Sequence, residues 1–203
     1  MLIAGSRGFA KQLLHSLPEE DTMNVQFFDN VNLDTETLYD KFPVLHTEAQ
    51  ARCYFDNIDR RFALGIGNPA IRIKLAELLQ SWGGILTSTI SRQAYISKYG
   101  VFLEDGINIL SGVVVEPDVT IGKGCLINLN VSITHESHVG DFVEIGPGAM
   151  LLGNCCVGCG CFIGAGAIIL PKIKVGNHVV IGAGAVVTKD IPDSSTIKGI
   201  PAR

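Results

Sequence analysis

The sequence predicts a parallel β-helix preceded by a small α/β unit. Three observations predict it. Every sixth residue from Leu103 to Val187 is aliphatic, without exception (Leu103, Ile109, Val115, Ile121, Ile127 and onward). The fifth position of each of those hexads is small or β-branched, as at Val113, Cys125, Ala149 and Ala167. Glycine is abundant at 23 residues while aromatics are only 7%, which suits stacked small-residue turns better than an aromatic-filled core. The first eighty residues lack the hexad and alternate strand-like and helix-like runs, which predicts a parallel α/β sheet.

In chain order, Leu2-Ile3-Ala4-Gly5 reads as a short apolar strand closed by glycine. Ser6-Arg7-Gly8 is a turn, and Phe9–Leu17 has helical spacing up to Pro18. Val25–Phe28 is a second strand, ended by Asp29-Asn30. Thr35–Lys41 and Thr47–Tyr54 read as short helices, and Phe62–Ile66 as a third strand running into Gly67-Asn68-Pro69. Pro69 suits a first helical position, so Ile71–Trp82 is read as a helix stopped by Gly83-Gly84. Ligands of such sheets sit at the C-terminal strand ends, here Gly5–Phe9, Asp29-Asn30 and Gly65–Asn68. Gly5-Ser6-Arg7-Gly8 is not a G-x-G-x-x-G dinucleotide fingerprint, and the glycine can equally serve a tight turn.

A period of six with two inward positions describes a short strand plus a corner. Three such faces close a triangular coil of eighteen residues, and the coils stack. Weaker hexads over Ile85–Ile96 and Ser97–Phe102 add a sixth coil to the five that follow Leu103. A helix is excluded, because its period is 3.6 and it does not tolerate glycine this often. The register also explains three of the six cysteines. Cys125, Cys155 and Cys161 take the small inward slot as compact hydrophobes. Cys156 and Cys159 fall on outward or corner positions that the register leaves unexplained. A metal site in the run Cys155-Cys156-Val157-Gly158-Cys159-Gly160-Cys161 is disfavoured, because the ligands do not form two separated pairs.

Composition excludes several classes. A net charge of −4 argues against a nucleic-acid surface, which needs a basic excess. Hydrophobic residues at 47% and charged residues at 18% exclude disorder. No apolar run reaches the ~18–20 residues of a membrane span, and no basic-then-apolar leader opens the chain, so a cytoplasmic protein is expected.

The polar corner Thr134-His135-Glu136-Ser137 carries the chemistry. A corner imidazole is accessible and works as a base near pH 7, and Glu136 beside it would orient it. One coil on, at the same corner, stands Gly153, whose uncluttered N–H suits an oxyanion donor. Taken alone, a surface histidine on a turn is the commoner explanation of His135.

The residues together resemble the hexapeptide-repeat sugar acetyltransferases, the type of the sialic acid O-acetyltransferases and the UDP-4-amino-sugar N-acetyltransferases of the bacillosamine pathway. The stretch Thr134-His135-Glu136-Ser137-His138-Val139-Gly140-Asp141-Phe142, the hexads, the α/β start and the closing Gly199-Ile200-Pro201-Ala202-Arg203 carry that resemblance over nearly the whole chain. It implies a Rossmann-like α/β nucleotide-sugar-binding subdomain over residues 1–82. A single-stranded left-handed parallel β-helix would follow over residues 83–203.

It further implies acetyl transfer from acetyl-CoA to the amino group of a nucleotide-linked sugar in glycan biosynthesis, by direct attack without an acyl-enzyme. His135 would be the general base, Glu136 its tuning partner and Gly153 the oxyanion donor. Cofactor contacts carry over to Glu144, Ala165 and Ala183, and nucleotide-sugar contacts to Arg7, Gly8, Phe9, Asp29, Asn30, Gly67 and Asn128. Phe9 and Glu144 stand where the family often has histidine. No metal is expected. The alternatives are O-acetylation of sialic acid or a related sugar, a zinc hydratase on the same helix, and a non-catalytic scaffold. The zinc reading lacks stacked histidines, since His135, His138 and His178 are not spaced by whole coils.

The outward column Val114, Ser132, Met150, Ile168 and Val186 is largely apolar, which predicts an interface. The resemblance makes it that of a homotrimer, with neither nucleic acid nor membrane as partner.

Overall fold

The computed structural model describes residues 1–203, without the side chains of residues 19 and 20. The N-terminal part runs β1 (Leu2–Ala4), α1 (Gly8–Ser16), α2 (Glu19–Thr22), β2 (Gln26–Phe28), β3 (Thr37–Leu38), β4 (Phe42–Leu45), α3 (Glu48–Asn57), β5 (Arg61–Leu64), α4 (Pro69–Ser81) and β6 (Ile85–Leu86). Its sheet has the order β3-β4-β2-β1-β5-β6 and is parallel except at β3–β4. Both faces are covered, so successive strand residues serve opposite cores. Ile3 and Phe27 join Leu13 and Val44 on the α1 side. Leu2 and Phe28 join Tyr54, Phe62 and Leu79 on the side of α3 and α4.

Local chemistry sets the ends of these elements. Thr47 and Gln50 form a capping box at the start of α3. Asn68 caps α4 through its side chain, and Pro69 takes the first helical position. Gly5 has φ +107°, and a Cβ there would stand 2.9 Å from the Gly65 carbonyl oxygen, so only glycine lets β1 turn away beside β5. One expectation fails: Thr35–Lys41 is not a helix. Thr37–Leu38 pairs antiparallel with Phe42–Leu45. Tyr39 and Asp40 both take left-handed backbone conformations (φ 54° and 52°), which closes a hairpin and forbids a helical run.

From Thr89 the chain winds into a triangular prism of three parallel sheets with seven, six and five strands. Strands pair with the residue eighteen further on, as at Leu126↔Glu144, Ser132↔Met150 and His138↔Cys156. The aliphatic and small positions of the hexads fill the interior, including Cys125, Cys155 and Cys161. Each buried aliphatic contributes ~1.5–3 kcal/mol. The fourth hexad position turns each corner in a left-handed conformation: Gly124 (φ 67°), Asn130 (57°), Glu136 (58°) and Phe142 (51°) succeed one another.

The three faces differ. The docking face carries Asn108, Leu126, Glu144, Phe162 and Val180 in register. The apolar face carries Tyr95, Val114, Ser132, Met150, Ile168 and Val186. The third face carries Phe102, Thr120, His138, Cys156 and Lys174. The α/β unit lies across the docking face and both flanking corners. Leu110 and Leu129 join one of its cores and Phe142 packs against the other. His135 occupies the remaining corner, where the other two faces meet.

Arg72 on α4 locks the two parts together. It is fully buried, and all five of its N–H donors are used: Nε to Gly124 O, Nη1 to Leu64 O and Ile66 O, Nη2 to Asn108 Oδ1 and Cys125 O. Burial pushes its guanidinium down to about 10, so it remains charged at neutral pH. Nothing in the sequence distinguished it from a solvated helix arginine.

Candidate active site

The His135 corner is a column of Pro117, His135, Gly153 and Pro171. Backbone bonds from Glu136 to Pro117, Asn154 to His135 and Lys172 to Gly153 tie it from coil to coil. At the third hexad position the N–H points away from the ladder. Pro117 and Pro171 have none, and that of His135 is donated to the Glu116 carboxylate at 3.0 Å. The N–H of Gly153 has no acceptor among the described residues. Glu116 was not singled out in the sequence, although it stands one coil before Thr134.

His135 Nδ1 lies 3.2 Å from Glu136 Oε2. An ionised carboxylate only accepts, so in the neutral imidazole this contact favours the tautomer with the proton on Nδ1 and the lone pair on Nε2. Both side chains are more than half exposed (59% and 58%), so the carboxylate acts by fixing the tautomer and orientation of the ring. The Cε1–Nε2 edge of the ring lies beside Gly153. A Cβ built on Gly153 would stand 2.6 Å from both Cε1 and Nε2 of His135. The imidazole and a residue with an unpaired N–H are therefore neighbours at an accessible edge, an arrangement suited to deprotonating a nucleophile and stabilising an oxyanion.

A second site lies in the α/β unit. A cavity of about 320 Å³ opens at the C-terminal ends of β1, β2 and β5. Arg7, Phe9, Asp29, Asn30 and Gly67 line it, with Phe28, Ile66 and Leu75 among its apolar walls. Gly8 lies between two lining residues at the start of α1, which no side chain caps. Uncapped amides with Arg7 nearby suit an anion. Arg7 also reaches Asn32 Oδ1 at 2.7 Å.

Asp29 is held by its own loop. It accepts from Ser6 Oγ, from the Val31 and Asn32 amides and from Asn32 Nδ2. Burial pushes its carboxyl up, but the bonds from Asn32, Ser6 and Val31 outweigh that and hold it below the ordinary value. These bonds shape the rim of the cavity.

The remaining site residues fall elsewhere. Asn128 begins the corner between the docking and apolar faces, where its side chain accepts from the Leu129 amide. Ala165 and Ala183 are exposed on that same corner, and their N–H groups have no acceptor among the described residues. Small side chains and open amides fit a linear amide-bearing arm such as pantetheine. Glu144 sits on the docking face and accepts the Asn68 N–H at 2.7 Å. One chain thus does not bring His135 together with Ala165, Ala183 or the α/β cavity.

Cys159 now has an explanation. At the third corner, side chains cap the corner amides of the coil before: Asp141 Oδ1 accepts from Lys123, Cys159 Sγ from Asp141, and Asn177 Oδ1 from Cys159. Among the described residues no three His, Cys, Asp or Glu side chains are grouped to hold a metal ion. No helix among them is long and apolar enough to cross a membrane.

The bacterial transferase hexapeptide family (six repeats) matches residues 157–189. Solved structures match over the full chain. A histidine-to-asparagine mutant of perosamine N-acetyltransferase from Caulobacter crescentus, in complex with CoA and GDP-perosamine, is 28% identical with a TM-score of 0.91, covering 100% of this chain and 94% of that one. The chain thus shares the repeat of that family model over those residues and the architecture of that acetyltransferase over its whole length. The acetyltransferase domain of PglB from Neisseria gonorrhoeae FA1090, in complex with acetyl coenzyme A, is 28% identical with a TM-score of 0.88, covering 100% and 97%. WeeI from Acinetobacter baumannii AYE is 27% identical with a TM-score of 0.88, covering 100% and 97%. The fold is thus the left-handed parallel β-helix with an α/β start that the resemblance implies.

Proposed function

We propose that the chain transfers acetyl from acetyl-CoA to the amino group of a nucleotide-linked sugar, in the cytoplasm. The observation that carries this reading is the close stacking of the His135 imidazole on Gly153, whose N–H has no acceptor among the described residues. The amine nitrogen attacks the thioester carbon as His135 Nε2 takes its proton. The resulting oxyanion faces the Gly153 N–H. Collapse expels the CoA thiolate, which takes the proton from the imidazolium, leaving an amide and free CoA. No nucleophilic side chain of the protein takes part.

The cavity of the α/β unit, with Arg7 and the amides opening α1, suits the diphosphate of a nucleotide sugar. Arg7, Gly8, Phe9, Asn30 and Gly67 are assigned to that ligand, with Asp29 shaping the loop. Asn128 is assigned to the sugar. The pantetheine arm is assigned to the open amides of Ala165 and Ala183.

These parts meet only between chains. The α/β unit covers the docking face, whereas His135 stands at the opposite edge of the prism. A second copy must bring its cavity to that edge. We assign a homotrimer packed through the column Val114, Ser132, Met150, Ile168 and Val186, of which Met150 is 39% exposed in the single chain. The test is release of free CoA thiol from acetyl-CoA with a panel of GDP-, UDP- and dTDP-linked amino sugars. Turnover with one of them, and its loss by ~10²–10⁴-fold in His135→Ala, is the expected result. Unchanged thiol release in the variant overturns the reading, and a sedimenting species of monomer mass overturns the assembly.

A further inference from the structure

We propose that Glu144 is a positioning residue for the acceptor pocket rather than a contact for the thioester. The inference rests on the acetyl-transfer reading above and assigns Glu144 a different task from the one its place in the motif suggests.

Glu144 Oε2 accepts the backbone N–H of Asn68 at 2.7 Å, a bond between residues 76 apart in sequence. Asn68 is the hinge of the loop that leaves β5. Its backbone is left-handed (φ 62°), and its side-chain oxygen accepts from the Ala70 and Ile71 amides, starting α4. A charge-assisted bond to its N–H thus holds the one residue that both ends the loop and begins the helix.

The residue before it shows how closely the carboxylate approaches. A Cβ built on Gly67 would stand 2.9 Å from Glu144 Oε1, so glycine at 67 is what admits the carboxylate. Gly65, Ile66 and Gly67 form the β5 wall of the α/β cavity. One turn into α4, Arg72 grips the carbonyls of Leu64 and Ile66 while also bonding Gly124 of the prism. The wall is therefore pinned to the prism at both ends, by a carboxylate on an N–H and by a guanidinium on two carbonyls. Glu144 acts on the ligand through residues 66–68, and its engaged oxygen points to its own α/β unit.

The geometry separates two substrates that a thioester contact would not separate. Glu144→Ala removes the bond, and Glu144→Gln keeps an acceptor oxygen of the same reach for the Asn68 N–H. Steady-state kinetics with the productive nucleotide sugar and acetyl-CoA would be paired with calorimetric binding of the matching nucleoside diphosphate alone. In Glu144→Ala, the KM for the nucleotide sugar and the Kd for the diphosphate should each rise about tenfold, with the KM for acetyl-CoA within twofold of wild type. Glu144→Gln should restore both to within threefold of wild type. A rise in the acetyl-CoA KM with unchanged diphosphate binding overturns the proposal and returns Glu144 to the cofactor. Unchanged values throughout, or no rescue by Gln, overturn it as well. Wild-type protein that binds no nucleoside diphosphate and acetylates no nucleotide sugar overturns the acetyl-transfer reading itself, and the proposal with it.

Discussion

His135 and Gly153, eighteen residues apart, are stacked so closely that the glycine has no room for a methyl group: its Cβ would stand 2.6 Å from Cε1 and Nε2 of the imidazole. The same glycine supplies the unpaired N–H. Gly153→Ala should therefore push the ring aside while leaving the interior untouched. We expect kcat to fall by ~10²-fold or more with a melting temperature within a few degrees of wild type. Thiol-release kinetics beside thermal melts check this, and a fully active variant would refute the crowding.

Arg72 answers to stability. Its five donors serve four backbone carbonyls and Asn108, all in the seam between the α/β unit and the prism. Arg72→Met keeps the aliphatic stem and strands those acceptors without partners. A loss of ~3–5 kcal/mol in urea unfolding is expected. Arg72→Lys should recover only part of it, since an ammonium carries three donors and not a planar five.

The six thiols should separate by position. Burial pushes Cys125 up to about 12 and Cys155 up to about 11, and it raises Cys161 as well. These three lie inside the prism, whereas Cys53 and Cys159 are exposed and Cys156 is half-buried. A maleimide at neutral pH should label Cys53 and Cys159 quickly, Cys156 more slowly, and the other three only after denaturation. Mass spectrometry of the labelled peptides reads the order directly.

Asp59 sets an acid limit. Burial pushes its carboxyl up, but hydrogen bonds from Arg61 and the N-terminal amine outweigh this and hold it at about 2. A carboxyl depressed by folding stabilises above its unfolded value of 3.8, and the gain is lost as pH falls toward 2. Asp59→Asn should cost roughly 2 kcal/mol at pH 7 and much less at pH 2.5. Urea unfolding of both proteins at the two pH values measures the difference.

The prism was legible because its sequence is periodic. A repeat of six converts sequence separation into position, so the inward slots of Cys125, Cys155 and Cys161 and the stacking of His135 with Gly153 followed from counting. The seam with the α/β unit has no period. In the sequence Arg72 is one residue of a helix and Asn68 one residue of the loop before it, and only the docked fold shows that one spans the seam and the other is held by Glu144. The hairpin at Thr37–Leu38 was misread for a related reason. The seven residues are too few to show a helical period, and the left-handed pair Tyr39-Asp40 turns the chain back instead.

That the α/β unit covers one side of the prism while His135 stands at the far edge bears on inheritance as much as on chemistry. A chain crippled at the imidazole and a chain crippled at the Arg7 cavity carry different defects. In the homotrimer proposed above neither would work alone, yet when both are made in one cell, mixed particles would pair the sound edge of one with the sound cavity of the other.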